Sequence, residues 1–421
     1  MTERDLRTQS NLYNAATSQT MGYHEIKNTA ENYQTIMRLF AEGRAKDLSD
    51  EPKKNLEPCF ITGSGPSLDD NIEKLKDWRG GIICHYSQAL TLVYHGIIPD
   101  YIVALDSICN WEGLAGVPWH EYKTKLILHP GMWPSLVQNW PNEMLFYRQN
   151  LGKADSFGVH EQALMFTDRL CTLEEALENT VKYQYKIRTS LMMFACTPPA
   201  QLFVAQVLQY GAVYLMGVDF AYHSGKYRFT HYTIENGEWK KNENLLAPDH
   251  PCITTNNGLK TEQIHLYYKK NFLSACRMSM QRVFTTDHGS IVEVPYIDID
   301  KVIKTQGRTT KWDIRPADRA KVYDRYLATI GCYAIEPITG SPIFVEMTNP
   351  IDDATGFIKQ RNRLYSCDAC KMTGTASDEK DHTGEVCTVC KNGKLKRTAP
   401  IDLDANIKRI KALVEYCKET A

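Results

Sequence analysis

The chain has 421 residues, which is enough for two domains or for one large domain with a small addition. Hydrophobic residues make up 43% of it and charged residues 24%, as is usual for a globular protein. The formal net charge of -1 excludes a globally basic protein, so a surface for nucleic acid or membrane would have to be local. The first ten residues carry charges of both signs and no apolar core, so no secretory signal is predicted.

In chain order, strands and helices are predicted to alternate. Polar residues 1–55 are predicted to contain one helix, with apolar side chains at Tyr33, Ile36, Met37, Leu39 and Phe40. Short apolar runs then predict strands at Cys59–Thr62, Ile82–Cys84, Tyr101–Asp106, Lys125–Leu128, Met144–Tyr147, Val213–Met216 and Ser290–Val292. Between them, helices are predicted after residue 68, with Ile72, Leu75 and Trp78 on one face, and at Ala89–Tyr94, Pro199–Tyr210 and Thr261–Met280. Continuous rather than alternating apolar strands predict an α/β fold, a Rossmann-like, mostly parallel sheet with helices on both faces.

The domain plan that follows has five parts. Residues 1–55 form an N-terminal helical segment, 56–305 the nucleotide-binding domain, and 306–363 an irregular connector. Residues 364–398 form a cysteine module, and an amphipathic helix is predicted over 399–421. Residues 223–260 are predicted to be loop-like. The uncharged run between Arg188 and Asp219 is interrupted by Pro198–Pro199 and by glutamines, so no membrane span is predicted.

Two close cysteine pairs predict a zinc ribbon in the C-terminal module. Cys367 and Cys370 form one Cys-x2-Cys pair, Cys387 and Cys390 the other, and sixteen residues separate the pairs. Four thiolates at this spacing can complete a tetrahedron around a structural zinc ion. The other nine cysteines are scattered singly, which favours buried thiols in a reducing compartment, so we expect an intracellular, cytoplasmic protein. Nine Lys and Arg against five Asp and Glu over 359–397 indicate either a phosphate-binding patch for DNA or RNA or an ordinary solvated face.

A glycine turn after the first strand of the large domain is the main candidate for ligand binding. The turn comprises Gly63, Ser64, Gly65, Pro66 and Ser67, and a helix is predicted to follow it. Backbone N–H groups at the start of a helix can bind a phosphate, and glycines let a ligand approach the chain. Such turns also occur without a ligand. The sequence therefore predicts a phosphate site here only in combination with other features.

Two acidic residues at strand ends supply those features. Asp106 and Asp219 each follow an apolar strand, and ligands of open parallel sheets bind at the carboxyl ends of the strands. A carboxylate there can hold a ribose hydroxyl or a divalent metal, or it can cap the following helix. The convergence of the turn and both acids on one edge favours a binding site.

Four segments in this order carry a family resemblance: TGSGPSLD, GIICHYSQAL, HGIIPDYIVALD and YLMGVDFAYHSGKYRFTH. They resemble the 6-hydroxymethylpterin diphosphokinase MptE-like family, which includes bacterial motility accessory factors, over roughly residues 30 to 305. The GPSL turn is similar to that of bacterial sialyltransferases that use a cytidine-nucleotide sugar. The resemblance implies a Rossmann-type domain that binds a nucleotide and transfers a group from it.

The resemblance also implies a set of binding residues. The donor's phosphates or base would contact the turn, Ser87 and Asp106 would line the pocket, and Gly217, Asp219, Lys226 and His231 would lie across the crevice. Diphosphokinases of this kind tend to carry a DxD pair that holds magnesium on ATP. Here Ala104 takes the place of the first acid, which disfavours magnesium–ATP chemistry without excluding it.

The functional expectation is a transferase that moves a sugar-type group from a nucleotide or nucleotide-sugar donor. His231 and His223, in the loop after Asp219, are the candidate bases, and Lys226 and Arg228 could neutralise phosphate. His85, His129 and His160 are weaker candidates. The alternatives are a diphosphokinase acting on a hydroxymethyl group, and a non-catalytic binding or structural protein that retains the fold. The acceptor is open and could be a protein, a glycan or a nucleic acid.

Overall fold

A computed structural model of the chain describes residues 28–29, 31–150, 186–192, 196–242, 252–255, 258–279 and 281–305, with short pieces between 333 and 408. The first strands are β1 (Ala45–Asp47), β2 (Cys59–Thr62), β3 (Gly81–His85), β4 (Tyr101–Val103), β5 (Lys125–Leu128) and β6 (Met144–Phe146). They are followed by β7 (Arg148–Asn150), β8 (Ser190–Met192), β9 (Ala212–Met216), β10 (His231–Glu235), β11 (Glu238–Asn242), β12 (Ile253–Thr254), β13 (Lys260–Thr261) and β14 (Arg282–Thr285). The helices are α1 (31–41), α2 (Leu68–Asn71), α3 (Ala89–Tyr94), α4 (Pro134–Asn139), α5 (Thr197–Val207), α6 (Gln263–Met278) and α7 (Ile299–Thr305).

Eight of these strands form one parallel sheet, in the order β1-β6-β5-β4-β3-β2-β9-β14. From β2 the chain moves outward through β3, β4 and β5 to β6, and it later returns to add β9 on the other side of β2. The reversal between β2 and β9 is the switch point at which loops diverge above the sheet and leave a crevice. The α/β, Rossmann-like fold predicted from the sequence is confirmed.

The two faces of the sheet are both buried, as continuous apolar strands require. In β2, Phe60 packs on one face with α1 and α4, while Cys59 and Ile61 pack on the other with α5 and α6. The 3-10 helix Ile72–Asp77 extends α2 and buries its apolar side on the Phe60 face. Because both faces are covered by this core, polar side chains that contact a ligand are expected at the ends of the strands.

Several predictions about elements are correct, and two are wrong. The strands at β2, β5 and β9 and the helix α3 match their predicted positions closely. The last strand of the sheet is β14, not Ser290–Val292, because Ile291 donates its N–H to Asp219 O at 2.9 Å outside any ladder. The segment predicted as a loop over 223–260 contains the antiparallel hairpin β10–β11 and the pair β12–β13.

The uncharged run before Asp219 divides into α5 and β9, as predicted. Within the ranges given above, no helix has the length and apolar character needed to cross a membrane. Near the C-terminus, β15 (Tyr333–Ile335) pairs with β16 (Pro342–Phe344). Strand β17 (Leu364–Cys367) pairs antiparallel with both β18 (Thr373–Thr375) and β19 (Leu395–Arg397).

Candidate functional site

The glycine turn after β2 lies directly against the turn that follows β9. Gly63 N–H donates to Met216 O at 2.8 Å, and Gly65 N–H donates to Gly217 O at 2.6 Å. A Cβ atom on Gly63 would lie 2.3 Å from Gly217 O, and one on Gly65 would lie 2.4 Å from Asp219 Oδ2. Gly217 itself has a φ of +70°, which favours glycine. These glycines therefore permit close packing of two turns at the switch point.

Asp219 takes the position in which an anion was expected. Its carboxylate accepts the Ser67 N–H at 2.8 Å and also accepts the Ser67 hydroxyl. The side chain is buried, with only 1% of the residue exposed. Pro66 has no N–H, so the amides of Gly63, Gly65 and Ser67 are all used within the fold. In this structure these three amides are not available to a ligand's phosphate, and Asp219 acts as a built-in anion at the start of α2.

A second buried acid lies beside Asp219. Asp287 accepts the Gly217 N–H at 2.7 Å and lies near Asn71, whose Nδ2 is 3.4 Å from it. Burial raises the pKa of Asp219 to about 6. Burial, together with the charge of Asp219, raises the pKa of Asp287 well above its ordinary value. The folded protein therefore binds protons here more readily than the unfolded chain.

Asp219→Asn should alter how stability depends on pH. Because the folded-state pKa of Asp219 is raised, its contribution to stability is full below the ordinary pKa of 3.8 and is lost as the pH rises through about 6. The variant lacks this proton uptake. Between pH 8 and pH 5 the free energy of unfolding of the wild type should rise by about 1 kcal/mol from this proton uptake, and that of the variant should lack this rise. Urea unfolding at both pH values measures the difference. The exposed Asp77→Asn is the control, and identical pH profiles for Asp219→Asn and the wild type would contradict the account.

A cavity of about 400 Å³ opens beside the glycine turn, at the carboxyl ends of β2, β3 and β4. Its wall includes one residue of the turn (Ser64), residues that follow β3 and β4, the first residue of α5, and one residue from the loop after β9. The polar or ionisable members of this wall are Ser64, His85, Tyr86, Ser87, Asp106, Cys109, Asn110, Thr197 and Arg228. The cavity is displaced by one or two strands from the switch point itself, where Asp219 is buried. The structure thus brings together Ser64, Ser87 and Asp106 of the predicted donor-binding set.

The tautomer of His85 follows from its hydrogen bonds. Its Nδ1 accepts the Ser87 N–H at 3.3 Å and lies 3.0 Å from Ser87 Oγ. Burial lowers the pKa of His85 to about 4, so the ring is neutral at physiological pH and carries its proton on Nε2. Nε2 is buried and has no hydrogen-bond partner in the described structure. His85 therefore presents an unused donor at the wall of the cavity.

A buried glutamine organises the two serines of the wall. Gln88 Nε2 donates to Ser64 Oγ and, at 2.9 Å, to Ser87 Oγ, and the two hydroxyl oxygens lie 3.3 Å apart. Gln88 Oε1 accepts the His85 N–H at 2.8 Å. Because His85 Nδ1 is unprotonated, the Ser87 hydroxyl donates to it at 3.0 Å, whereas the Ser64 hydroxyl can donate to a ligand or, at 3.3 Å, to Ser87 Oγ. No sequence signal distinguishes Gln88 from an ordinary helical residue, and it was missed.

Arg228 is the cation of the cavity. It is partly buried and contacts the ring of Phe229, with 5.5 Å from the guanidinium carbon to the ring centroid. Its Nε is buried without a hydrogen-bond partner, and among the described residues no carboxylate pairs with it. Burial lowers the pKa of Arg228 from its ordinary value, but a guanidinium stays charged. The wall therefore contains an uncompensated positive charge.

Asp69 fastens the loop that carries Arg228. It accepts the Thr230 N–H at 2.8 Å, the Thr230 hydroxyl at 2.7 Å and the Lys226 ammonium at 2.8 Å. Lys226 is thus used in the loop and does not line the cavity. His223 lies earlier in the same loop, with its Nε2 2.9 Å from Asp70 Oδ2, and it is also absent from the wall.

The remaining histidines have different surroundings. His129 is buried, with its Nδ1 accepting the Gly131 N–H and its Nε2 3.0 Å from Leu105 O, so it links two loops. His231 opens β10 and is not part of the cavity wall, although its buried Nδ1 has no partner in the described structure. Burial and the nearby Arg228 charge lower the pKa of His231. His160 lies outside the described residues.

The predicted zinc ligands are not described in atomic detail. Cys370, Cys387 and Cys390 lie outside the described residues, and for Cys367 only the backbone is described. Asp106 is exposed to solvent on the cavity side, and partial desolvation of its carboxyl by the surrounding protein raises its pKa. No group of three or more His, Cys, Asp or Glu side chains that could hold a metal occurs in the part of the chain with described side chains.

Together these features define a doubly wound α/β protein with a polar, anion-compatible cavity at the carboxyl edge of its sheet. Residues 27–225 match the family model described as 6-hydroxymethylpterin diphosphokinase MptE-like. The match confirms the resemblance carried by the four sequence segments, and it covers just under half of the chain. The match ends at residue 225, short of the predicted limit near residue 305.

One solved structure that resembles the chain is that of a MAf glycosyltransferase from Magnetospirillum magneticum AMB-1. The sequence identity is 17% and the TM-score is 0.44, with 82% of this chain and 49% of that chain covered. The chain thus spans about half the length of that structure. No curated protein matches the sequence.

Proposed function

We propose that this protein is a nucleotide-dependent transferase that binds its donor in the cavity beside Ser64 and moves a sugar-type group to an acceptor hydroxyl. The observation that carries the proposal is the presence of one acidic and one basic side chain, not paired with each other, in the same polar wall. Among the described residues that line the cavity, Asp106 is the only carboxylate and Arg228 the only guanidinium. A guanidinium binds phosphate oxygens, and a carboxylate binds or deprotonates a hydroxyl. A nucleoside phosphate linked to a sugar offers both kinds of group.

The proposed reaction assigns a role to each charge. The bond between the sugar's anomeric carbon and the phosphate oxygen breaks, and its electron pair stays on the phosphate, which Arg228 neutralises. The acceptor oxygen forms a new bond to the same carbon and loses its proton to Asp106. Burial raises the pKa of Asp106, which makes it a stronger base than an ordinary aspartate. This proposal replaces His231 and His223 with Asp106 as candidate base, because neither histidine lies in the cavity wall and His223 is bonded to Asp70.

A diphosphokinase is the second candidate, because the description of the matching family names that activity. Such an enzyme would hold magnesium on ATP through acidic side chains. Ala104 stands where a second acid would be, which leaves Asp106 as the carboxylate of the wall. The side chains of the cavity wall therefore favour a phosphate held by an arginine over one held mainly through a metal ion.

Calorimetry with the whole chain distinguishes these two proposed activities by the nucleotide that binds and by its need for magnesium. CMP, UDP, a CMP-sugar, a UDP-sugar and ATP are titrated, each with magnesium and again with EDTA. We expect one of the nucleotide sugars to bind with an affinity that EDTA leaves unchanged within threefold. Tight binding of ATP alone, and only with magnesium, would replace the proposal with the diphosphokinase. Binding of a nucleotide without any turnover in the presence of candidate acceptors would support a non-catalytic protein.

Asp106→Asn provides a matched test of the proposed base. The amide keeps the size and a hydrogen-bonding oxygen but cannot take a proton. The variant should bind the nucleotide sugar within threefold of the wild type and hydrolyse it about 100-fold more slowly, since a general base contributes at least that factor. Unchanged hydrolysis would remove Asp106 from the role.

A zinc ribbon in the C-terminal module remains a prediction that the strand pairing supports. The first Cys-x2-Cys motif begins at the last residue of β17 and lies before β18, and these two strands are hydrogen-bonded to each other. The second pair falls between Val386 and Lys394, which form an antiparallel bridge. Purified protein should therefore contain one zinc ion per chain by elemental analysis, and Cys387→Ser should lose it and lower the unfolding temperature of this module. Unchanged zinc content in the variant would refute the assignment.

A further inference from the structure

The helix that points its N-terminus at the cavity is α5, not the helix after the glycine turn. Thr197, the first residue of α5, is part of the cavity wall, and α5 has 11 residues. Its N-terminus has no side-chain cap. By contrast, α2 has four residues, and Ser67 at its start is already bonded to Asp219. Of these two helices, only α5 therefore offers the positive end of its dipole to a ligand.

Two side chains of the cavity wall each have a buried donor without a partner in the described structure. His85 is 9% exposed, and its Nε2–H has no partner in the described structure. Arg228 also contributes a buried, unpartnered Nε, and no described acid neutralises it. A buried donor without a partner costs roughly 1–3 kcal/mol, so a fold that keeps two of them in one wall is typical of a binding site.

We propose that the α5 N-terminus, His85 and Arg228 form an anion subsite that takes the phosphate groups of the donor. In this subsite Arg228 supplies the charge and a planar fork of donors, and His85 supplies a neutral, oriented N–H. Thr197 adds its hydroxyl and the helix dipole. Pro198 and Pro199 follow Thr197, so α5 contributes few amide donors and the side chains carry most of the recognition.

The geometry also orients the ligand. With the phosphate groups toward Thr197 and Arg228, Asp106 and the serines remain for hydroxyl groups of the ligand. The identity of the anion as a donor phosphate rests on the proposed function. The existence of the anion subsite does not rest on the proposed function, since any pyrophosphate group would satisfy the same donors.

Inorganic pyrophosphate is therefore the probe, titrated calorimetrically into the full-length protein. Arg228→Gln should weaken its binding at least tenfold, because one charged hydrogen bond contributes about 1.5–3 kcal/mol. Arg228→Lys should bind with intermediate affinity, because it keeps the charge and loses the fork. His85→Asn keeps an oxygen in place of Nδ1, so the bond from the Ser87 N–H is retained and only the Nε2 donor is lost. His85→Asn should bind pyrophosphate about fivefold more weakly than the wild type.

Lys240→Gln is the control for loss of one positive charge, since Lys240 lies on β11 and pairs with Glu238 at 3.1 Å. It should retain pyrophosphate affinity within twofold, and circular dichroism should show that every variant is folded. Undetectable pyrophosphate binding by the wild type, or equal affinity in Arg228→Gln and Lys240→Gln, would overturn the subsite. If pyrophosphate binds as expected while no nucleotide does, the subsite stands and the proposed function fails.

Discussion

Replacing Gly63 or Gly65 with alanine should destabilise the fold by about 3 kcal/mol, at the upper end of the cost of overpacking. At Gly63 the new methyl group would meet the carbonyl oxygen of Gly217, which belongs to the backbone of a paired strand end and cannot move away. At Gly65 it would meet Asp219, which Ser67 holds in place. The free energy of unfolding in urea measures the effect.

Gly96→Ala is the matched control. Gly96 has a φ of +74°, but no atom lies within 4 Å of the position that the methyl group of an alanine would take, so the variant tests backbone strain without a clash. Its cost should be about 1 kcal/mol. If Gly65→Ala instead folds with wild-type stability and loses only ligand binding, then the glycine admits a ligand, and the packing role assigned to it is wrong.

Asp69→Asn should weaken pyrophosphate and nucleotide binding about tenfold although the residue does not line the cavity. Its carboxylate accepts bonds from Thr230 and Lys226, on either side of Arg228 in sequence. An amide cannot satisfy all three donors, so the loop loses the contacts that position Arg228. The same loss should lower the free energy of unfolding by about 2 kcal/mol.

Asp70→Asn is the control from the next position in the chain. Asp70 is bonded to His223 and is largely exposed, so its replacement should change stability by less than about 0.5 kcal/mol and leave anion affinity unchanged. A positioning role for Asp69 also predicts that Asp69→Asn adds little to the loss already caused by Arg228→Gln. Fully additive losses in the double variant would contradict it.

Much of the sheet could be predicted because its strands are short apolar runs that end in glycine or an acid. Cys59–Thr62 and Lys125–Leu128 are buried on both faces, and burial on both faces leaves a continuous pattern. The weaker strand Arg282–Thr285 lies at the edge of the sheet, where its exposed arginine hides the pattern. The hairpin β10–β11 was missed because β11 is exposed along its whole length and has no alternating apolar side chains.

The site was predicted only in part, for a reason that local sequence cannot reveal. A glycine turn followed by a helix indicates a free row of amides, but the Gly63 and Gly65 amides donate to backbone carbonyls at and just after the end of β9. The Ser67 amide donates to Asp219, 152 residues farther along the chain. Ser64, Ser87 and Asp106 meet in the cavity wall because they follow neighbouring strands. Thr197 carried an unused signal, since a Thr-Pro-Pro sequence is typical of a helix start.

We expect the cavity between the glycine turn and α5 to hold an anion through Arg228 and His85, while Asp219 excludes one from the Ser67 amide. A crystal structure of the protein with CMP or pyrophosphate bound tests it most directly. We predict phosphate density within about 3.2 Å of the Arg228 guanidinium and of His85 Nε2, with the bond between Ser67 and Asp219 intact. Phosphate density at the Ser67 amide, with Asp219 displaced, would contradict the claim.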